Sequence, residues 1–422
     1  MDPLEQLEIQ LRELLQEKLN SPRFSVKCLN KQLAESGDMV VKIADPAWIG
    51  EDQPEAVFLD GEDRSWSLPI AREKISNLSI SLFLNRPETY RTLITRWSDG
   101  TWQIAENLQN RKIHVTCDID DGNCEQFSLT DLRVVSVRNV VKNLLMLQGF
   151  RVLLEKPMEE TGETLHVGLT RSGSGVNLLC GPVITNGVTA CEYIQKRAND
   201  MQLIAQHKYG LRVKDQARFQ QMIASLGRSA AVVDLLESKA SSSIDFRRDK
   251  NQSSKGAAFI LYNFARLSVL FRTFEEKQRT GYYPELAPIE TVDFGLLKEE
   301  DEWQLFWVYV AGFPAMLRQA LGDGQLARVA PHVVLGFTSG LVICLSKYYR
   351  RVRILTKLLV LLSIALHCYR RFRKRVEVAI AAMFFFDRSE TYRQRPSDSL
   401  EFSYANIDFA KRCDLEKLSP AS

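Results

Sequence analysis

The first hydrophobic pattern along the chain is helical. Leu4, Leu7, Leu11 and Leu14 recur at spacings of three and four, which gathers them on one helical face. Asp2 suits the N-cap, Pro3 the first helical position and Glu5 the partner of a capping box, so a docked amphipathic helix is expected here. The period then shortens. Apolar runs at Met39–Ile43 and 56–59 read as strands, and SISLFLN at 79–85 alternates in period two before Pro87 opens a helix. Residues 1–105 are expected to form an α+β module.

In the middle, 106–236, helical and extended patterns alternate. A helix expected at 131–149 leads into a strand at 150–154, and further strands follow at 165–169 and Val176–Leu179, the pattern of an α/β unit. RSGSG at 171–175 lacks the Lys-Ser/Thr of a phosphate loop and reads as a hairpin turn between two of these strands. The stretch 237–255, ESKASSSIDFRRDKNQSSK, has no apolar period and reads as a linker. Beyond it the helical period returns at 257–279, stopped by Gly281, then at 300–320 and 331–349. An all-α bundle over 256–355 follows, with a divergent tail at 356–422 whose apolar run Leu358 to Leu366 falls short of the about 20 residues that span a bilayer.

Composition narrows the classes of function. At 422 residues the chain holds two or three domains, and 45% hydrophobic against 25% charged residues supports buried cores. Lys+Arg 55 nearly cancel Asp+Glu 52, so a nucleic-acid partner would have to be recognised by local charge. Cys28, Cys117, Cys124, Cys180, Cys191, Cys344, Cys368 and Cys413 form no C-x-x-C pair, and the five histidines are dispersed. Free thiols and no metal site are the expectation. The opening residues carry acids early and lack the apolar core of a secretory signal, so a cytosolic or nuclear address follows by default, and a cytoplasmic location is expected.

Candidate chemistry appears on two helices. In the helix at 257–279, Ile260, Phe264, Leu267, Phe271 and Phe274 form a stripe expected to face a core. Away from it Tyr262, Arg266 and Lys277 fall within ~60° of one another, and Lys255 precedes them. A solvated surface is one reading of that face; a phosphate backbone with a stacked base is the other. The end of the third helix interleaves Lys347, Tyr348, Tyr349, Arg350, Arg351 and Arg353, and no Asp or Glu occurs from Gly324 to Val376. Cations of one sign beside aromatic rings suit single-stranded RNA loops, and Tyr262, Arg266 and Arg351 are expected on one RNA-facing surface.

At these residues the sequence resembles a known family. SSKGAAFILYNFARLSVLF is similar to the opening of the DALR anticodon-binding domain of arginyl-tRNA synthetases, LLKEEDEWQLFWVYVAGFPAMLRQA to its middle helix through Trp303, Phe313, Pro314 and Leu317, and LSKYYRRVRIL to its tRNA-facing end. SISLFLNRPETYRTLI resembles the strand and helix of the synthetase's tRNA-elbow domain. NLLCGPVIT and ACEYIQKR are similar instead to a non-synthetase vertebrate branch of the DALR family. DLRVVSVRNVVKNLLMLQGFRV looks like the helix after the class I HIGH signature, but Ser128, Leu129, Thr130 and Asp131 stand in the signature's place, and no KMSKS-like loop occurs.

The fold class so implied is an α+β N-terminal module and a degenerate α/β middle, followed by an all-α DALR-type bundle. The resemblance implies a non-catalytic adaptor without a cofactor that selects arginine tRNAs and presents them to a 3-methylcytidine tRNA methyltransferase acting in the anticodon loop. The alternatives are a divergent synthetase with arginine-tRNA ligase activity, and a structural or membrane-surface protein using the basic and apolar stretch from Lys347 to Phe386.

Overall fold

The computed structural model describes residues 2–18, 24–44, 57–59, 65–76, 79–98, 111–119, 126–147, 149–153, 163–173, 175–209, 216–247, 254–284 and 288–352. In chain order the elements are α1 (Pro3–Lys18), β1 (Phe24–Cys28), α2 (Leu33–Ser36), β2 (Met39–Ile43), β3 (Ile70–Ser76), β4 (Ser79–Leu84), α3 (Arg86–Ser98), β5 (Lys112–Cys117), α4 (Leu129–Leu147), β6 (Arg151–Leu153), β7 (Glu163–Gly168), β8 (Val176–Leu179), β9 (Val183–Ile184), α5 (Ala190–Tyr209), α6 (Gln216–Leu236), β10 (Ile244–Asp245), α7 (Ser254–Arg279), α8 (Glu300–Gln304), α9 (Phe313–Ala320) and α10 (Pro331–Arg351). They divide into two compact units.

The first unit contains the described residues up to 98, Tyr283–Pro314 and α10 from Cys344 onward. Helix α1 starts as its sequence directs, with the Asp2 carboxylate accepting from the Leu4 N–H at 3.0 Å. Its leucines 4, 7, 11 and 14 are buried, and Leu15 with them. The sheet is antiparallel in the order β1-β2-β4-β3. Met39, Val41 and Ile43 of β2 and Ile80, Leu82 and Leu84 of β4 are buried, as period two requires for one covered face. Gly37 has φ +90, and a Cβ there would lie 2.8 Å from the Leu82 carbonyl oxygen, so the turn into β2 admits only glycine without strain.

Two expectations change here. Val57–Leu59 is not a strand: the N–H groups of Val57, Phe58 and Leu59 all point at the Glu73 carboxylate, at 2.9, 3.1 and 3.1 Å. A half-buried anion captures the donors that a sheet ladder would have used. The helix expected over 300–320 is interrupted by a π-helix, Leu305–Ala311, in which the Gly312 N–H reaches back to the Trp307 carbonyl at 3.0 Å. Pro314 lies just beyond; its ring cannot enter a regular α-helix without displacing the carbonyl four residues back, and a π turn makes that room.

This segment, 288–311, packs on the N-terminal module. Tyr90 of α3 stacks with Phe294 at 5.9 Å and meets Trp303 and Phe306 at 5.3 and 4.2 Å between centroids. The Trp303 indole donates to Asp38 Oδ1 at 2.6 Å, while the Leu84 N–H donates to Asp38 Oδ2 at 2.8 Å. Arg86 is bidentate to Glu300 at 2.7 and 3.2 Å, and Arg91 donates to the Glu290 carbonyl at 3.0 Å.

The second unit contains the described residues from 111 to 282 and those from Ala315 to Ile343. Its larger sheet is wholly parallel, in the order β6-β5-β7-β8. The hairpin expected at 171–175 is therefore corrected: β7 and β8 run parallel, with Leu165 opposite Val176. The chain does turn at these residues, but it returns to the start of the sheet before pairing. Asn177 closes that return, its Oδ1 accepting from the Ser172 N–H at 2.7 Å and its Nδ2 donating to the Ser172 carbonyl at 3.2 Å.

Helix α4 is buried on several faces, through Leu132, Val134, Val135, Val137, Val140, Val141, Leu144 and Leu145. Helices α5 and α6 pack as a pair in which a Cβ on Gly227 would lie 2.6 Å from Ala198. The first part of the expected linker is ordered: Ile244 and Asp245 pair in parallel with Val183 and Ile184. Residues 248–253 lie outside the described set, as does everything after 352.

Candidate nucleic-acid interface

Helix α7 buries Ile260, Asn263, Leu267, Leu270 and Phe274. The core face thus keeps the expected period but is turned by about one residue, with Asn263 and Leu270 facing inward and Phe264 only half-buried. The Asn263 Nδ2 donates to the Phe259 carbonyl at 2.8 Å. Tyr262, Arg266 and Lys277 come close together around the helix axis, as 100° per residue requires, yet all three are half-buried where full exposure was expected. Lys255 stands in the first turn.

The helix ends in a Schellman turn. Gly281 has φ +74, its N–H donates to the Gln278 carbonyl at 3.0 Å, and the Tyr282 N–H donates to the Lys277 carbonyl at 2.9 Å. This places the Lys277 ammonium 5.2 Å from the centroid of the Tyr282 ring.

The basic end of α10 is not the one-signed patch that local counting implies. Lys347 pairs with Asp301 at 2.9 Å; Arg351 pairs with Asp301 at 2.5 Å and with Glu299 at 3.0 Å. The Tyr348 hydroxyl donates to Glu302 at 2.9 Å, and burial raises the pKa of that carboxyl. Tyr348 is itself buried, Tyr349 is half-buried, and Arg350 is exposed with its Nε donating to the Ser346 carbonyl at 3.3 Å. Arg351 falls in the first unit, whereas Tyr262 and Arg266 fall in the second. Arg353 lies outside the described residues.

Where the HIGH signature would stand, the side chains close a helix. The Ser128 N–H and hydroxyl donate to Asp131 Oδ2 at 2.9 and 2.7 Å, and the Asp131 N–H donates to the Ser128 hydroxyl at 3.2 Å. Thr130 exchanges hydrogen bonds with the backbone of Val183, accepting from its N–H at 3.0 Å and donating to its carbonyl at 3.3 Å. The same reciprocal box opens α5, with Thr189 and Glu192.

Sequence reasoning overlooks two groups. Buried Arg133 spends all its donors on the second unit's backbone and Ser238, and buried His166 lies 3.3 Å from Asp118 at the carboxyl ends of β7 and β5. Neither has a periodic or motif signal. Among the described residues no group of three His, Cys, Asp or Glu side chains could hold a metal ion, and no helix is long and apolar enough to cross a membrane.

The fold is that of an arginyl-tRNA synthetase. It superposes on the Thermus thermophilus enzyme with a TM-score of 0.56 at 10% identity, covering 89% of this chain and 98% of that one. For the arginyl-tRNA synthetase of Plasmodium falciparum the TM-score is 0.56 at 11% identity, covering 90% and 98%. In sequence the chain is similar to DALR anticodon-binding domain-containing protein 3 of Danio rerio, 34% identical over 191 residues, 42% of this chain and 34% of that protein. The protein of that name from Rattus norvegicus is 27% identical over 190 residues, 42% of this chain and 35% of the relative. The chain spans about a third of the length of the curated relatives it matches. No family model matches the sequence.

Proposed function

We propose that this protein is a non-catalytic tRNA-binding adaptor of the cytoplasm that selects arginine tRNAs and presents them to a 3-methylcytidine tRNA methyltransferase. The observation that carries the reading is a synthetase fold whose signature position is occupied by a helix cap. Ser128 and Asp131 satisfy each other there, and neither supplies the positive donors that stabilise charge developing on transferred phosphates. Similarity to relatives named for an anticodon-binding domain supports RNA as the ligand. The contacts assigned to it are Lys255, Tyr262, Arg266 and Lys277 of α7, with Lys347, Tyr349, Arg350, Arg351 and Arg353 at the end of α10 and just past it; Tyr348, expected among them from the sequence, is buried against Glu302 and is left out.

Sequencing the RNA that copurifies with the protein tests selectivity; arginine tRNAs should be enriched over the cellular pool. Arg266→Ala should weaken tRNA binding by about 1–3 kcal/mol, the worth of a charge-assisted contact to a phosphate or base edge, without moving the melting temperature. A variant that binds tRNA like the parent removes Arg266 from the interface, and copurifying RNA with no tRNA enrichment removes the function.

A further inference from the structure

We infer that Tyr282 is a stacking platform for one unpaired nucleobase, with Lys277 and Arg279 meeting the phosphate beside it; this rests on the RNA-binding reading above. Tyr282 is 57% exposed and is the one aromatic side chain among the large hydrophobics that the described residues leave on the surface. Its neighbour Tyr283 is buried, so the exposure belongs to this position and not to a loose segment. The backbone beneath the ring is fixed. Gly281 adopts the left-handed conformation, and a Cβ placed on it would meet nothing within 4 Å, so backbone geometry alone selects glycine there. Thr280 adds a hydroxyl bond to the Lys277 carbonyl at 3.1 Å. A tyrosine held this way loses little conformational freedom when a base settles on it.

Charge favours a base here over an isolated phosphate. The carbonyl end of a helix carries partial negative charge and repels anions, and Glu275 and Glu276 lie exposed one turn back. Lys277 and Arg279 in the last turn offset that field. The ammonium at 5.2 Å also polarises the ring, so a neutral aromatic base on the ring with its phosphate turned to the cations is the arrangement that satisfies both groups. A protein ligand seeking an apolar anchor would find one exposed aromatic among the described large hydrophobics.

The experiment measures binding of an arginine tRNA transcript to the full chain across a salt series. Tyr282→Ala should weaken binding about 5- to 150-fold, the range for losing one stacked base, with the slope of log K against log salt unchanged because no phosphate contact is lost. Lys277→Ala should instead flatten that slope by about 0.7–0.9. Tyr282→Trp should bind like the parent and Tyr282→Leu like the alanine variant, all at the parent's melting temperature. If Tyr282→Ala or Tyr282→Leu keeps parental affinity while Arg266→Ala weakens binding, the stacking role is overturned and the tRNA reading stands. A parent chain that does not bind tRNA overturns both.

Discussion

Replacing Arg133 with methionine should be among the most damaging single changes in the second unit, and the structure allows its cost to be worked out. The side chain is fully buried and its five N–H groups each find one acceptor: Nε the Leu235 carbonyl at 3.2 Å, Nη1 the carbonyls of Gly181 and Ser242 at 2.7 and 2.5 Å, and Nη2 Ser238 Oγ and the Lys239 carbonyl at 3.2 and 2.9 Å. All five acceptors are neutral, so burial lowers the guanidinium pKa; the nearby Cys180 thiol, pushed up to about 11 by its own burial, carries no compensating charge. Methionine fills the stem but leaves the acceptors bare, at about 1–3 kcal/mol for each that water cannot reach. Relief of the desolvation of a buried cation, itself several kcal/mol, offsets much of that sum. The net loss should be about 3–5 kcal/mol, with Arg133→Lys intermediate because an ammonium offers three donors. Two units make a single unfolding free energy ill-defined, so the assay is amide hydrogen exchange. Protection should fall around the Gly181 N–H, bonded to Ala240 at 2.7 Å, and the Ile244 N–H, bonded to Pro182 at 3.0 Å. It should hold in the β1–β4 sheet. Unchanged exchange at 181–184 and 239–246 in the methionine variant would refute the reasoning.

Two further outcomes concern function. Asp301→Asn should strengthen tRNA binding at low salt by up to about five-fold, about the 1 kcal/mol that a pair with exposed cations is worth, because it releases the exposed Lys347 and Arg351 from one buried carboxylate; weaker binding at an unchanged melting temperature would show that these cations only brace the end of α10. Pyrophosphate exchange with arginine and ATP should stay at the no-enzyme level, since Ser128 and Asp131 are spent on each other, and exchange above that level would restore the synthetase reading.

Much of the fold is legible in local pattern and little of its long-range chemistry. The N-cap at Asp2, the leucines of α1, the period-two burial of β4 and the helix stop at Gly281 follow from residues within one or two turns of each other, where geometry is set by the backbone period. The strand direction of β8 does not, because RSGSG signals a reversal and says nothing of whether the chain pairs on its way back or on its next outward run. The electrostatics of α10 fail for the same reason. Counting acids from Gly324 to Val376 finds none, but Glu299, Asp301 and Glu302 come from about 50 residues upstream and neutralise the patch. Of the candidate site, the position of the α7 trio around the axis is legible and its depth is not, since the buried stripe includes polar Asn263, which a hydrophobic pattern cannot propose.

On the proposed adaptor reading, the two helix caps account for a synthetase-like scaffold that works without the enzyme's chemistry. A helix N-terminus in an α/β unit presents unpaired N–H groups and partial positive charge, which is why nucleotide phosphates so often sit there. In this chain the starts of α4 and α5 are each closed by a carboxylate three residues into the helix, Asp131 and Glu192, bonded back to the hydroxyl and N–H of Ser128 and Thr189. An anion already fixed at that end repels a second one. The two starts are also joined to each other and to the strand edge, through the bridge between Ser128 and Thr189 and the Thr130 bonds to Val183. On the same reading these bonds suit a scaffold that holds α5, α6 and α7 in register better than a site that opens for a nucleotide. In the proposed function the α/β region serves to position α7, which with the turn that follows it would carry RNA contacts.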